Sequence, residues 1–202
     1  MLKIAIASKR TIIAAAAAVL LTVAALAAVT VTDSACVYLG YSPRKVPIYS
    51  VEREDKVVAL TFDAAWGADK TPDILSTVTE YDARATFFSV GMWAEKYPDQ
   101  LKALSDSGRF EIGTHSNTHP DMGGMSADDI DSELTLSCDI IERVTGKRPE
   151  LFRPPYGSYS DVLIDEATSL GLITVQWDVD TLDWKGLSAG QIADRVLGSV
   201  RN

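Results

Sequence analysis

Val57-Val58-Ala59-Leu60-Thr61-Phe62, with Asp63 directly behind it and Thr71-Pro72-Asp73 shortly after, decides the fold. VVALTF is a continuous apolar run of strand length, and Thr71-Pro72-Asp73 offers a helix N-cap with proline at the first helical position, opening a helix to about Tyr81. The alternation then repeats. Ala85 to Val90 (ATFFSV) reads as a strand, Ala94 to Ser107 as a helix, Phe110 to Thr114 (FEIGT) as a strand and Ser126 to Val144 as a long helix. Ser126 and Asp129 resemble a capping box with Asp in place of Glu, and Gly146 is a natural stop. Leu151 to Arg153, a helix from Asp161 to Leu170, Ile173 to Trp177 and a helix from Ser188 to about Leu197 complete the units. Strands alternating with helices imply the α/β class, with a parallel sheet or barrel and helices outside it.

In such a fold the loops after the strands form the active face, so polar groups at strand C-termini are the first functional candidates. Asp63 ends the first strand in TFDAAWG. His115 and His119, the chain's two histidines, follow the third strand in HSNTHP. Arg153 opens RPPYG after the next, and Asp180-Thr181-Leu182-Asp183-Trp184 follows the last. Two imidazoles four residues apart are able to share one metal ion, and each group alone also has a bland reading as a cap, a surface cation or a helix-start pair.

Taken together, TFDAAWG, HSNTH, RPPYG and DTLDW, in that order from Val57 onward, resemble the polysaccharide deacetylase family. These are metal-dependent esterases that remove acetyl groups from N-acetylglucosamine in peptidoglycan and chitin. The lead-in Val46-Pro47-Ile48-Tyr49-Ser50 and the Asp-Ala-Ala-Trp form of the first motif look most like a membrane-anchored branch associated with sporulation. The resemblance implies a distorted (β/α) barrel of about seven strands. It also implies hydrolysis of a glycan acetamide. His115 and His119 would ligate a divalent metal, zinc above others, at about 2.0–2.1 Å. Asp63 would be the general base, Arg153 would orient it, and Asp183 would position Arg153. A backbone N–H near Tyr156 would stabilise the oxyanion, and Tyr156 and Trp184 would form an apolar floor for the acetyl methyl and the sugar face.

The chain departs from that pattern twice. The second Asp of the family's Thr-Phe-Asp-Asp motif, a metal ligand, is Ala64 here. A catalytic zinc site uses three protein ligands, so either a carboxylate such as Asp69 substitutes, or waters fill the shell, or metal binds weakly or not at all. The family's final Leu-x-His strand, whose histidine protonates the leaving amine, has no counterpart after His119. The expectation is a domain incomplete at its C-terminus, with activity reduced or lost, since a general acid contributes about a hundred- to ten-thousand-fold. Two further readings stay open: a non-catalytic descendant that binds wall glycan in the same cleft, and a membrane-tethered scaffold.

Upstream, Lys3, Lys9 and Arg10 precede an uncharged apolar run from Thr11 to Thr32. That run is long enough for a bilayer, which takes about 20 residues. Residues 1–32 therefore read as a basic cytoplasmic tip and a transmembrane signal-anchor helix. Residues 33–55 read as a linker, and 56–202 as the deacetylase domain. The alternative is a cleavable signal peptide, although Asp33-Ser34-Ala35 makes a poor cleavage site. The positive-inside rule puts the domain outside a cell membrane crossed once. Setting aside the three basic residues of the tip leaves 16 Lys and Arg against 28 Asp and Glu, a net of −12. Nucleic acid is thus an unsuitable partner and a neutral or amino-bearing glycan a suitable one. Cys36 and Cys138 are compatible with a disulfide in an oxidising compartment but make no framework that calls for one.

Overall fold

The computed structural model describes residues 19–21 and 43–200. Apart from the helical residues 19–21, the apolar run Thr11–Thr32 lies outside them, as does Cys36. Among the described residues no helix is long and apolar enough to cross a membrane.

Five parallel strands follow one another in the sheet in sequence order: β1 (Leu60–Ala64), β2 (Ala85–Ser89), β3 (Phe110–Thr114), β4 (Leu151–Phe152) and β5 (Ile173–Thr174). Beyond β5, Ile48 makes an isolated parallel bridge to Val175. Its N–H donates to the Thr174 carbonyl at 3.0 Å, and its own carbonyl accepts from the Gln176 N–H at 2.8 Å. Part of the stretch read as a linker is thus paired to the sheet. The expected count of about seven strands is not reached among the described residues, and nothing among them pairs with the outer edge of β1.

That edge also explains a shift in β1. The strand begins at Leu60 rather than Val57, because its register with β2 opens at Leu60↔Ala85, and Val57 and Val58 upstream are left exposed. Six helices accompany the strands in the described region past residue 43: α1 (Thr71–Glu80), α2 (Gly91–Lys96), α3 (Pro98–Asp106), α4 (Ala127–Thr145), α5 (Asp161–Ser169) and α6 (Ala189–Ser199). The single helix expected over 94–107 is two. Pro98 has no N–H to continue the ladder and disfavours helical backbone before it, so Tyr97 breaks the helix at φ −127°, ψ 53°. The ends of α4 follow from its sequence. Ser126 Oγ accepts from Asp129 N–H, and Gly146 closes the helix in the left-handed region at φ 77°.

Strand alternation sorts side chains between two faces. Phe62, Phe87 and Ile112 share one register row and pack with Val78, Trp93, Leu101, Leu104 and Ile141 in the larger core cluster. A second cluster gathers Met122, Ile130, Leu134, Cys138, Phe152, Leu163 and Leu172 between α4, α5 and the last strands. Cys138 is a free buried thiol there, and loss of hydration pushes its pKa up to about 11. Asp63, Phe88 and Gly113 form the next row, on the opposite face. A Cβ on Gly113 would meet the Phe88 ring at 2.5 Å, so only glycine leaves room for that ring.

Candidate functional site

Thr61 and Asp63 project from the same face of β1, and Arg153, at the end of β4, meets both. Arg153 Nη1 donates to Asp63 Oδ1 at 2.7 Å and to Thr61 Oγ1 at 2.9 Å, while Nη2 donates to the Gln176 carbonyl at 2.9 Å. The guanidinium also lies 4.2 Å from the Phe88 ring centroid and 5.7 Å from that of Trp177. Arg153 is 3% exposed, and a charge so buried needs these partners. Its Nε has none among the described residues.

Asp183 does not take that position, contrary to the expectation that it positions Arg153. It sits in an exposed 3-10 turn (Asp183–Lys185), where its Oδ1 accepts from Thr181 Oγ1 at 2.8 Å. The polar partners of the guanidinium are instead Asp63, Thr61 and the Gln176 backbone. Gln176 is buried, and its side chain also donates to the Gly157 carbonyl at 3.0 Å, tying the RPPYG loop to the end of β5.

His115 follows β3 and is buried. Its Nδ1 lies 2.6 Å from the Arg153 carbonyl. A carbonyl only accepts, so Nδ1 carries the proton, and in the neutral ring Nε2 keeps its lone pair. Nε2 is 3.9 Å from Asp63 Oδ2. Burial lowers the His115 pKa, against the pull of Asp63 in the other direction, and burial lowers that of His119 as well. Both imidazoles are therefore held toward the neutral form that a metal ligand requires.

The two rings lie 5.0 Å apart, with His119 Nδ1 buried and without a partner among the described residues. As donors to a divalent metal they provide two nitrogens. Ala64, where the family has an aspartate, carries no donor and packs beside the larger core cluster. Asp69 is exposed, and no group of three His, Cys, Asp or Glu residues suited to a metal occurs among the described residues. The residues present do not complete a catalytic zinc site.

The HSNTH loop is clamped from two sides by residues that sequence reading missed. Glu133 on α4 accepts from the N–H groups of Asn117 at 2.8 Å and Thr118 at 2.9 Å, and from Thr118 Oγ1 at 2.8 Å. From the other side, the N–H groups of Gly91 and Met92 at the start of α2 donate to the carbonyls of Ser116 and Asn117. A Cβ on Gly91 would collide with Asn117 Oδ1. The clamp holds Ser116 and His119 in the left-handed region, at φ 68° and 64°, a costly conformation for residues with a Cβ. Glu133 belongs to no motif and precedes no strand end. Its one sequence signal is an acidic residue on the long helix that follows the loop.

Tyr156 joins the site with its ring 4.7 Å from that of His119, and it too is left-handed, at φ 59°. Trp184 makes no ring contact with Tyr156, with which it was expected to form the floor, or with His119. It is 73% exposed in the Asp183 turn, with Lys185 Nζ 4.9 Å from its ring centroid. The second aromatic at His119 is Trp66, at 5.8 Å.

Residues 50–175 match the polysaccharide deacetylase family. The chain is 38% identical to the peptidoglycan-N-acetylglucosamine deacetylase of Bacillus cereus over 70% of its own length and 51% of that protein. It is 36% identical to the peptidoglycan-N-acetylmuramic acid deacetylase PdaC of Bacillus subtilis, over 75% of its own length and 32% of the relative. Among solved structures, a CE4 family pseudoenzyme from Bacillus anthracis superposes with a TM-score of 0.75 at 35% identity, covering 77% of this chain and 55% of that one. The chain thus spans about half or less of the length of these curated relatives. With the ordered motifs and the parallel sheet, these matches show that the chain belongs to the polysaccharide deacetylase family.

Proposed function

We propose that this chain forms the acetamide-binding and base-bearing part of a glycan N-deacetylase that acts on peptidoglycan or a chitin-like polymer. The observation that carries the reading is the Arg153–Asp63 pair at 2.7 Å with His115 Nε2 at 3.9 Å from the other carboxylate oxygen. The Asp63 side chain is 34% exposed, so water and a substrate are able to reach it. Arg153 keeps Oδ1 occupied and leaves Oδ2 to take a proton from an attacking water. Paired with the cation, the carboxylate is also fixed in direction, which an acetamide demands of its base because the carbonyl is a poor electrophile.

Several finer features belong to the same reading. The strands form part of a barrel whose mouth is this site, and the domain takes in residues 56–202 together with the Ile48 bridge upstream of them. A divalent metal, zinc above others, is held weakly by His115 and His119, whose neutral forms suit it. The Lys3–Arg10 tip and the Thr11–Thr32 run support a single-pass anchor with the domain outside the cell membrane, and VPIYS with DAAWG supports a role in sporulation.

A second reading has its own support. Ala64 removes a ligand, and a structural relative at 35% identity is described as a pseudoenzyme. On this reading the cleft binds wall glycan without hydrolysing it. Acetate release from purified peptidoglycan, with and without added zinc or cobalt, tests the two together with sedimentation on the insoluble polymer. Acetate above background supports the enzyme. Cosedimentation without acetate supports the binder, and the absence of both overturns the glycan reading.

A further inference from the structure

Trp66 belongs to no role assigned above. It is 74% exposed, yet its ring meets His119 at 5.8 Å, and Tyr156, itself 67% exposed, meets the same imidazole at 4.7 Å. A single exposed aromatic needs no explanation. Two that converge on one imidazole, at the strand ends that carry Asp63, leave a wide apolar surface in water at the place where a ligand has to dock.

The Trp66 backbone is anchored as well. The carbonyl of Gly67 accepts from the indole N–H of Trp93 at 2.7 Å, and Trp93 is wholly buried in the larger core cluster. The backbone that presents Trp66 is therefore pinned to the core, and a loop already fixed loses little freedom when a ligand covers its side chain. A flat indole face offers dispersion to a flat partner with apolar C–H groups. The face of a pyranose ring is such a partner, with its hydroxyls at the rim free to stay hydrated. Asp63 is already paired with Arg153, and the exposed carboxylate of Asp69 lies beside Gly67, so the surroundings of the platform do not favour an anionic ligand.

We propose that Trp66 is a stacking platform for a sugar ring of an N-acetylated glycan, adjacent to the ring whose acetamide reaches Asp63. This rests on the glycan reading above and adds to it a second subsite, so affinity grows with chain length through Trp66.

The test titrates the N-acetylglucosamine tetramer into the wild-type protein, Trp66→Ala and Trp66→Phe by calorimetry, and follows the monomer by ligand-detected NMR. The expected result is tetramer binding weakened about tenfold in Trp66→Ala, a smaller loss in Trp66→Phe, and monomer binding alike in all three. Equal tetramer affinity in Trp66→Ala overturns the platform, and so does an equal loss for monomer and tetramer, which assigns Trp66 to shaping His119 alone. If Trp66→Ala does not fold, Trp66→Phe decides: undiminished tetramer affinity with the ring shortened overturns the platform. Failure of the wild type to bind the tetramer overturns the glycan reading and the platform with it.

Discussion

Arg153 Nη1 donates to Asp63 Oδ1 at 2.7 Å, linking residues 90 apart in sequence across the ends of β1 and β4. The same guanidinium holds Thr61 and the Gln176 carbonyl, so one side chain ties three strand ends together. Arg153→Lys keeps the charge but cannot reach all three acceptors with one ammonium. Its expected cost is about 2–3 kcal/mol of stability, read as a lower urea midpoint with an unchanged slope. An unchanged midpoint would show that the network carries little weight.

Glu133 accepts three hydrogen bonds from the HSNTH loop. Glu133→Ala is expected to cost about 1–2 kcal/mol and to speed hydrogen exchange at the Asn117 and Thr118 amides, while the amides of α5 keep their rates. Exchange that rises equally everywhere would indicate general loosening instead of a released loop.

The helices and the strand ends were legible because their signals are local. Ser126 and Ser188 mark helix starts through their side-chain oxygens, and Gly146 marks an end through its left-handed backbone. Pro72 lies in the first turn of α1, although Lys70 and not Thr71 precedes the helix and no side chain caps it. An apolar run followed by a polar residue marks a strand mouth. What sequence could not place are partners chosen by packing. Asp183 was expected against Arg153 but bonds locally to Thr181. Thr61, Gln176 and Glu133 meet the site through sheet register and helix docking, which no spacing in the chain encodes. Pro98 was a readable break inside an apparent helix, and the apolar pattern on either side concealed it.

Burial lowers the His115 pKa below the ordinary value of about 6.5. The unfolded chain then takes up a proton near that pH while the native site resists it. This contribution to stability is complete above about pH 6.5 and is lost as pH falls through the lowered native value, with a slope of at most about 1.4 kcal/mol per pH unit. In chelator-treated protein, unfolding midpoints should fall from pH 7.5 to 5.5, and His115→Gln should fall less. Parallel curves would contradict a neutral buried imidazole.

Cys138 is buried, and its thiol pKa is pushed up to about 11. A thiol-specific disulfide reagent should leave it unmodified in the native protein at neutral pH and react on unfolding in denaturant. Rapid native modification at this position would show that the second core cluster opens.

The central claim is that Asp63, held by Arg153, is the base that serves a glycan acetamide. Its most direct test compares acetate release from purified peptidoglycan by the wild-type protein and by Asp63→Asn, which preserves shape and removes the proton acceptor. The account predicts measurable release by the wild type and a loss of about a hundredfold or more in the variant. Equal release by the two, or none by the wild type, would contradict it.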